Sequence, residues 1–575
     1  MPVHNEDIAR HFEEIADLLE IQGANPFRVR AYRNGARAVR ALGRSLADLV
    51  EEGADLSELP DIGDALAKKI VELLQSGTTE AMKQLHTELP ASLEDLLRIP
   101  ALGPKRVKAL YSDLGIKTLA QLERAAKAGK VRELPGFGSK TEAKILEALA
   151  AHRTKKQRML LATAVDYAEP LVTYLQRTSG VDQVIVAGSY RRGRETVGDL
   201  DILVTAPKGS KLMSRFVDYD EVAEVVSRGT TRSSVLLRSG LQVDLRLVPP
   251  ESLGAALHYF TGSKAHNIQL RRLGQRRGLK INEYGVFKGQ RRIAGEDERS
   301  VFASVGLPWI PPELREGSDE LEAAAAGQLP DLIEPGDLRG ELHCHTNATD
   351  GHASLREVAH AAKARGLKYL AITDHSKRLS MVHGLDVKRL RRQLTEIDAL
   401  NAELKGITLL KGIECDILDE GRLDLPDEIL GELDLVIGAV HYKFNLPRGK
   451  QTERILRAMD HRYFSILAHP TGRLLEEREP YAADLERIIV HAAGRGCFLE
   501  LNSQPRRLDL DATACRMAKD AGVLVAIDTD AHSVNDLDHR RFGIGQARRG
   551  WLEKGDVLNT RGLRELRKLL ARTMG

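Results

Sequence analysis

The sequence predicts a multidomain chain of mixed class: a helical N-terminal part followed by two separate α/β parts. Three observations predict it. At 575 residues the chain exceeds what one hydrophobic core serves, so several domains are expected. A short phrase with a proline and a hairpin glycine recurs three times among amphipathic runs before residue 150. Ligand-type side chains then accompany strand-like runs in two styles, alternating aspartates in the middle and strand-end histidines after residue 340.

Residues 1–90 contain IARHFEEIADLLEI, PFRVRAYRNGARAVRAL and DALAKKIVELLQSG, each with helical spacing of its apolar residues. The recurring phrase reads LPDIGDALAKKI from Leu59, IPALGPKRVKAL from Ile99 and LPGFGSKTEAKI from Leu134. Its glycines, Gly63, Gly103 and Gly138 (with Gly136 in the third copy), each precede a helix. This is a helix-hairpin-helix pattern, in which backbone N–H groups at a helix start face one phosphate. One copy would equally describe an ordinary interhelical turn. Three copies, two of them followed by Lys105–Arg106 or Lys140, predict sequence-independent DNA binding. The first copy departs from the pattern, because Asp61 and Asp64 place acid where phosphate would sit.

The middle part centres on GSYRRGRETVGDLD, Gly188 to Asp201. A strand, VDQVIVAG, enters a Gly-Ser turn, and a second strand, DLDILV, carries Asp199 and Asp201 on one face. A third strand, LQVDLRLV, adds Asp244. Alone, a DxD in a turn is usually a cap. Three carboxylates beside a Gly-Ser turn and Arg192 instead suit divalent magnesium and substrate phosphates. Such a site fits phosphoryl or nucleotidyl transfer, where positioning and charge neutralisation do most of the chemistry. The run ALHYFTGSKAHNIQLRRLGQRRGLKINEYGVF follows, with an aromatic pair at Tyr259–Phe260 and a donor-acceptor amide at Asn267. Residues 316–337, acidic and alanine-rich with proline near the end, read as a linker.

Of the 18 histidines, 12 lie after residue 340. They end apolar runs: ELHCHTNATDG (His343, His345, Asp350), YLAITDH (His375), LVIGAVH (His441), SILAHP (His469) and LVAIDTDAH (Asp530, His532), with Glu414 in LLKGIECD. CFLELNS, ending near Asn502, has the same shape without a histidine. Seven strand-like runs alternating with helical stretches predict βα units closed into a barrel. In such a barrel the C-terminal strand ends converge on one face, so nine ligand-type residues would meet. Mixed His and carboxylate ligation suits manganese, zinc or iron better than magnesium. Cys344 and Cys415 flank ligands and alternate away from them, so both read as packing.

The formal charge of +3 hides an asymmetry: residues 101–300 carry 35 Lys+Arg against 21 Asp+Glu, and residues 316–575 carry 38 against 42. A basic middle is the footprint of a phosphate-backbone partner. The four cysteines, Cys344, Cys415, Cys497 and Cys515, have no repeating spacing, which argues for a reducing compartment. A polar, acidic N-terminus and the lack of a long apolar run predict a cytoplasmic chain with no membrane partner.

From Gly188 to Asn267 the motifs resemble a family X DNA polymerase, and the resemblance spans residues 5–315. It implies a nucleotidyltransferase-type palm over 156–255 and a thumb over 256–315, preceded by helix-hairpin-helix domains over 1–90 and 91–155. It implies that Ser189 and Arg192, with Gly188 and Gly198, hold the triphosphate, and that Asp199, Asp201 and Asp244 hold the metals. Tyr259, Phe260, Thr261 and Gly262 would border the incoming sugar, Asn267 its minor-groove edge, and Arg271 the template strand. Members with lyase activity use a lysine in the helix after the first hairpin, which is Lys69 here. However, Ala65 and Asn34 stand where such members tend to have lysines.

Residues 338–575 resemble the PHP (polymerase and histidinol phosphatase) domain, a (β/α)7 barrel with up to three metals whose chemistry is directed at phosphate esters. The expectation is a monomeric DNA polymerase filling short gaps in repair, with Mg2+ at the palm. Its barrel would use Mn2+ or Zn2+ as a 3′-5′ exonuclease and 3′-end-processing phosphatase. Gapped or nicked DNA and deoxynucleoside triphosphates are the expected partners. Two other readings stay open: a structural, metal-stabilised barrel on a DNA-binding scaffold, or a barrel that hydrolyses small phosphate esters.

Overall fold

The computed structural model describes residues 5–574, apart from 42–45, 52, 60–61, 91, 98, 100–101, 154–157 and 208–209. It divides into two units, Met1–Arg158 and Met159–Gly575. In the first, apolar residues at helical spacing build the core. Ile8, Phe12, Ile15 and Leu19 of the helix Asn5–Gln22 are buried with Val29, Tyr32 and Ala36 of the helix Pro26–Ala41. The rings of Phe12 and Tyr32 meet edge to face with centroids 5.6 Å apart. Helices Asp64–Ser76 and Pro104–Leu114 begin directly after Gly63 and Gly103, and Ser139–Arg153 begins after Gly138. All three hairpin glycines therefore cap helices, while Asp61, the departure in the first phrase, lies outside the described residues.

The second unit opens with β1 (Met159–Leu160), β2 (Gln183–Val186), β3 (Thr196–Val197) and β4 (Asp199–Thr205), followed by β5 (Val222–Arg228), β6 (Arg232–Leu237) and β7 (Gln242–Leu247). β1 pairs β3, and the others form one mixed sheet ordered β2-β4-β7-β6-β5. The central pair, β4 and β7, is parallel and sets Asp201 opposite Asp244. Next come helices Leu253–Thr261 and Lys264–Arg276 and an antiparallel sheet of β8 (Leu279–Asn282), β9 (Gly285–Lys288) and β10 (Arg291–Ala294).

Residues 316–337, expected as a linker, are a packed connection instead. Glu320, at the start of the helix Glu320–Ala326, is buried against His266 at 2.8 Å. Asp319 pairs with Arg516 at 2.8 Å, and Ile333 enters the core of the C-terminal part. Glu316, Asp319, Glu320, Glu334 and Asp337, acids that suggested a solvated spacer, each have a partner elsewhere in the chain.

The C-terminal strands are β11 (Gly340–Glu341), β12 (Tyr369–Ile372), β13 (Thr408–Lys411), β14 (Glu414–Asp416), β15 (Ile437–Ala439), β16 (Ile466–Leu467), β17 (Phe498–Asn502) and β18 (Val525–Asp528). Every pair within their two sheets is parallel and follows chain order. The bridges His375–Glu414 and Cys344–Ala531 join the two sheets at both sides. β13 and β14 lie on one line broken at Gly412, where a Cβ would stand 2.8 Å from Thr373. The result is a seven-position parallel barrel wrapped by helices. Its interior is lined by Leu342, Ala371, Leu410, Ile437, Ile466 and Ala526, and Leu566 and Leu570 of the helix Leu563–Leu570 join them. No helix among the described residues is long and apolar enough to cross a membrane.

Candidate active sites

The motif at Gly188 is a four-residue helix, Gly188–Arg191, rather than the simple turn expected from sequence. The Ala187 N–H donates to the Asp201 carbonyl at 2.7 Å, seating this helix start against β4. Gly188 has φ +64°, and a Cβ there would lie 2.9 Å from Asp201 Oδ2. Gly188→Ala is expected to cost about 1–2 kcal/mol in backbone strain and to displace the Asp201 carboxylate. Thermal unfolding should register the strain, and primer extension should fall about tenfold or more.

Period two puts Asp199 and Asp201 on one face of β4, facing Asp244 across the strand pair. Burial and then the charges of Asp199 and Asp244 push the Asp201 carboxyl up to about 6. The three carboxylates do not form a group with all ligand atoms within 4.8 Å of one another. Asp244 is instead drawn aside, accepting from Ser234 Oγ and facing Arg232 Nη2 at 3.7 Å. Three repelling carboxylates of which one is raised by its neighbours fit divalent cations held between them.

The arginines divide their work. Arg191 is bidentate to Glu298, both bonds 2.8 Å, and donates to Thr261 Oγ1 at 2.7 Å. Fully buried Arg315 shares Glu298 at 2.6 Å. Burial opposes ionisation of Glu298, but these two guanidinium groups hold its carboxyl well below the usual range. Arg192 donates through Nη1 to the carbonyls of Thr261 (2.6 Å) and Gly262 (3.0 Å) and through Nε to Glu316 (3.1 Å). The residue expected to hold a triphosphate is thus tied to the thumb and to an acid.

Tyr259 and Phe260 meet at 5.1 Å with Arg246 stacked 4.2 Å over Phe260, so the aromatic pair is part packing and part surface. Asn267 Nδ2 donates to the Tyr259 carbonyl at 2.7 Å, while its buried Oδ1 has no partner among the described residues. Only glycine suits position 262, since a Cβ would lie 2.3 Å from that Oδ1. Arg271 is exposed on the helix Lys264–Arg276 beside exposed Arg272.

In the first unit Gly63, Gly103, Gly136 and Gly138 are exposed, with open space where a Cβ would stand. Lys105 and Lys140 are exposed in the first turns of their helices, and Arg106 lies 5.8 Å from the Phe137 ring, joining the second and third hairpins. Lys69 is half-buried, with Nζ donating to the Ala65 carbonyl at 3.3 Å.

The barrel brings all nine predicted residues together. Three overlapping groups keep their ligand atoms within 4.8 Å: His345, Asp350, His375 and His532; His343, His345 and Asp530; and His375, Glu414 and His441. His469 Nε2 joins them 3.0 Å from Glu414 Oε1. Two of the nine, His469 (φ +28°) and Asp530 (φ +50°), leave the strand conformation for the left-handed region, the kind of strain that persists where surrounding structure enforces it.

The donor set fits cations. His375 Nδ1 and Glu414 Oε2 stand 2.7 Å apart, yet neither has a hydrogen bond, and His345 Nδ1 and His469 Nδ1 are buried and unpartnered as well. Burial opposes charge on His375, but Glu414 and Asp350 push it up to about 10. His441 rises to about 9 against burial because of Glu414, while burial and neighbouring imidazoles push His345 down to about 4. Cys344 and Cys415 are buried in the surrounding core, and burial raises both thiols.

Sequence reasoning missed the supports behind these ligands. Glu500 holds His343 Nδ1 at 2.6 Å and accepts the His469 N–H at 2.6 Å. Asp416 holds His441 Nδ1 at 3.0 Å, and Asn502 Nδ2 donates to Asp530 at 3.1 Å. Such partners fix ring orientation and ligand basicity. A signal was present: Glu414/Asp416 and Glu500/Asn502 both alternate on their strands.

Comparison with known proteins finds a family for each part of the chain. The DNA polymerase beta palm family matches residues 166–245 and the DNA polymerase beta thumb family residues 256–316. A helix-hairpin-helix domain matches 3–79, a SAM-like helix-hairpin-helix tandem 93–151, and the PHP domain 341–504. A Bacillus subtilis (strain 168) protein named DNA polymerase/3′-5′ exonuclease PolX is 38% identical over 99% of this chain and 100% of its own length. A probable phosphatase of Thermoanaerobacter sp. (strain X514) is 28% identical over 38% of this chain and 89% of its own. Another, from Caldanaerobacter subterraneus, is 31% identical over 34% of this chain and 77% of its own. With an alternating-aspartate palm, its thumb, hairpin helices and a barrel gathering nine ligand-type residues in one polypeptide, the chain belongs to the family X DNA polymerases that carry a C-terminal PHP domain.

Proposed function

We propose that the chain fills short gaps during DNA repair and uses its barrel to trim and clean 3′ ends. The chain is a DNA polymerase with 3′-5′ exonuclease activity, the pair of activities in the name of its full-length relative. The observation that carries the second activity is the convergence of nine ligand-type residues at the C-terminal ends of the barrel strands. We divide the chain into hairpin domains at 1–90 and 91–155, palm at 156–255, thumb at 256–315, connection at 316–337 and barrel at 338–575. It would act as a cytoplasmic monomer on gapped or nicked DNA and deoxynucleoside triphosphates.

At the palm, Asp199, Asp201 and Asp244 would hold magnesium; when bound, it neutralises the charge of the triphosphate and of the transferred phosphoryl group. Ser189 and Arg192 would orient the phosphates, Tyr259 to Gly262 would face the sugar, and Asn267 would contact the nucleotide's minor-groove edge, a role its buried, unpartnered Oδ1 supports. At the barrel, manganese or zinc suits the ligands, with carboxylate Glu414 reaching His343, His375, His441 and His469. Glu500 and Asp416 hold imidazole orientation there, and Asn502 holds Asp530. In the hairpins, backbone N–H groups after Gly63, Gly103 and Gly138 would meet DNA phosphates, with Lys105, Arg106 and Lys140 adding charge.

A 5′-labelled gapped duplex, incubated with and without nucleotides in magnesium and then manganese, tests both activities together. Extension with nucleotides and 3′ shortening without them are expected; a chain that extends but never shortens contradicts the nuclease. A second reading, hydrolysis of small phosphate esters, is favoured by the phosphatase names of the barrel relatives. Turnover of such esters by the full chain without any action on DNA ends would establish it.

Lyase activity at Lys69 is decided by trapping. Its Nζ is engaged by a backbone carbonyl, and burial, which activates Schiff-base lysines, is incomplete. Borohydride reduction on a 5′-deoxyribose-phosphate end is expected to give little adduct, and an adduct lost in Lys69→Ala would assign the lyase to this residue.

A further inference from the structure

The acid that engages Arg192 comes from outside the palm, and so does that acid's strongest partner. Glu316 Oε1 accepts from Arg192 Nε at 3.1 Å and from Arg549 Nη1 at 2.8 Å, and Glu316 Oε2 lies 3.6 Å from Arg194 Nη1. Arg549 ends the barrel helix Arg540–Arg549 and has a side chain only 8% exposed. The same Nη1 also donates to the Arg192 carbonyl at 3.1 Å. Gly193, at φ +63°, lets this helix approach, its Cβ position being 3.9 Å from Arg549 Cδ and the Gly545 carbonyl.

We propose that Arg549 of the barrel is a positioning residue for the polymerase: it gives Glu316 a second anchor, so that Arg192 can leave Glu316 for the triphosphate. Charge arithmetic supports this. Three guanidinium groups, Arg192, Arg194 and Arg549, share one carboxylate, an excess of two positive charges. The next acid, Glu195, is already taken by Arg473 at 2.6 Å and Gln546 at 2.5 Å. A surplus of that sign beside the nucleotide motif suits an anion. Burial works against the charged form of Glu316, yet Arg549, Arg192 and Arg194 hold its carboxyl down to about 2, so it stays ionised and needs a partner.

If Arg192 turned to a phosphate with no Arg549 present, Glu316 would keep only the longer contact to Arg194, and an unpaired, part-buried charge is costly. Glu316 would then compete with the nucleotide for Arg192. With Arg549 present, the carboxylate keeps its 2.8 Å bond throughout. The inference rests on the reading that Arg192 contacts the triphosphate.

The test measures affinity of the full chain for the matching deoxynucleoside triphosphate, on a one-nucleotide gap with a dideoxy-terminated primer. Arg549→Gln is expected to raise the nucleotide Kd about tenfold. Glu316→Gln is expected to leave the Kd equal to the parent's or lower it. The double variant should match Glu316→Gln within about twofold, because no acid remains to compete. Exonuclease on single-stranded DNA should stay at the parent rate in all three, which also confirms folding. An unchanged Kd in Arg549→Gln, or additive effects in the double variant, overturns the proposal. Should Arg549→Gln fail to fold, Arg549→Lys is expected to weaken binding about threefold in the parent and not in Glu316→Gln; equal effects in both backgrounds overturn it. Arg192→Gln separates the two ideas: no loss of nucleotide affinity removes the triphosphate reading itself, whereas a loss there without one in Arg549→Gln removes only the barrel's part.

Discussion

Asp201→Ala is expected to lower nucleotide insertion on gapped DNA by about a thousandfold or more while leaving 3′ shortening intact. Asp201 is central among the three carboxylates, in register with Asp244 on β7 and on the same face as Asp199. Losing it removes the group that both cations would share. Misfolding is not the expected cause, and the sign of the titration explains why. The Asp201 carboxyl stands at about 6 in the folded chain against 3.8 for the free residue. In chelator-treated protein its ionised form is therefore a stability cost, absent below the free-residue value and complete above about 6. Alanine removes that cost, so thermal unfolding at neutral pH should show no loss of stability. Extension at near-parent rate by a folded Asp201→Ala chain would sink the assignment of this palm.

His343→Ala should have the converse effect, a fall of about a hundredfold or more in 3′ shortening with gap insertion unchanged. His343 is fully buried, meets His345 and Asp530 within one ligand group, and is fixed from behind by Glu500. Asp530→Ala should behave likewise, since Asp530 joins the same group and is held by Asn502. Metal content measured on the purified variants should fall together with the nuclease. Two folded variants that still degrade DNA like the parent place the nuclease elsewhere.

Much of this was legible because strand ends and strand faces follow simple periods. Most of the nine ligand-type barrel residues lie at the end of an apolar run, and parallel strands carry such ends to one face, so His343 and His532 could be joined across 189 positions without a structure. Asp199, Asp201 and Asp244 were legible by alternation. Glu500 was missed although it alternates with Asn502 on its strand, because no histidine on that strand drew attention to it. The connection at 316–337 was misread for a different reason. Composition reports how a segment interacts with water, and Asp319 and Glu320 reach their partners only through folding, at Arg516 and His266. The same holds for Arg192, whose phosphate-binding look in sequence concealed its bond to Glu316.

The buried acids of the barrel have a consequence for how the protein is made. Glu341, Asp528, Glu500, Asp416 and Asp374 are all buried around the ligands, and burial drives Glu341 up to about 7. Without cations these acids are offset only by the barrel's own imidazoles, such as His375 and His441, which the carboxylates hold protonated. Cations that bind only the folded form would stabilise it by about 2.7 kcal/mol when present at a hundred times their dissociation constant. Metal supply during synthesis would then decide how much of the nuclease half matures. Chains made where such cations are scarce would have a palm, built on a separate sheet, ready to add nucleotides before the barrel can remove any.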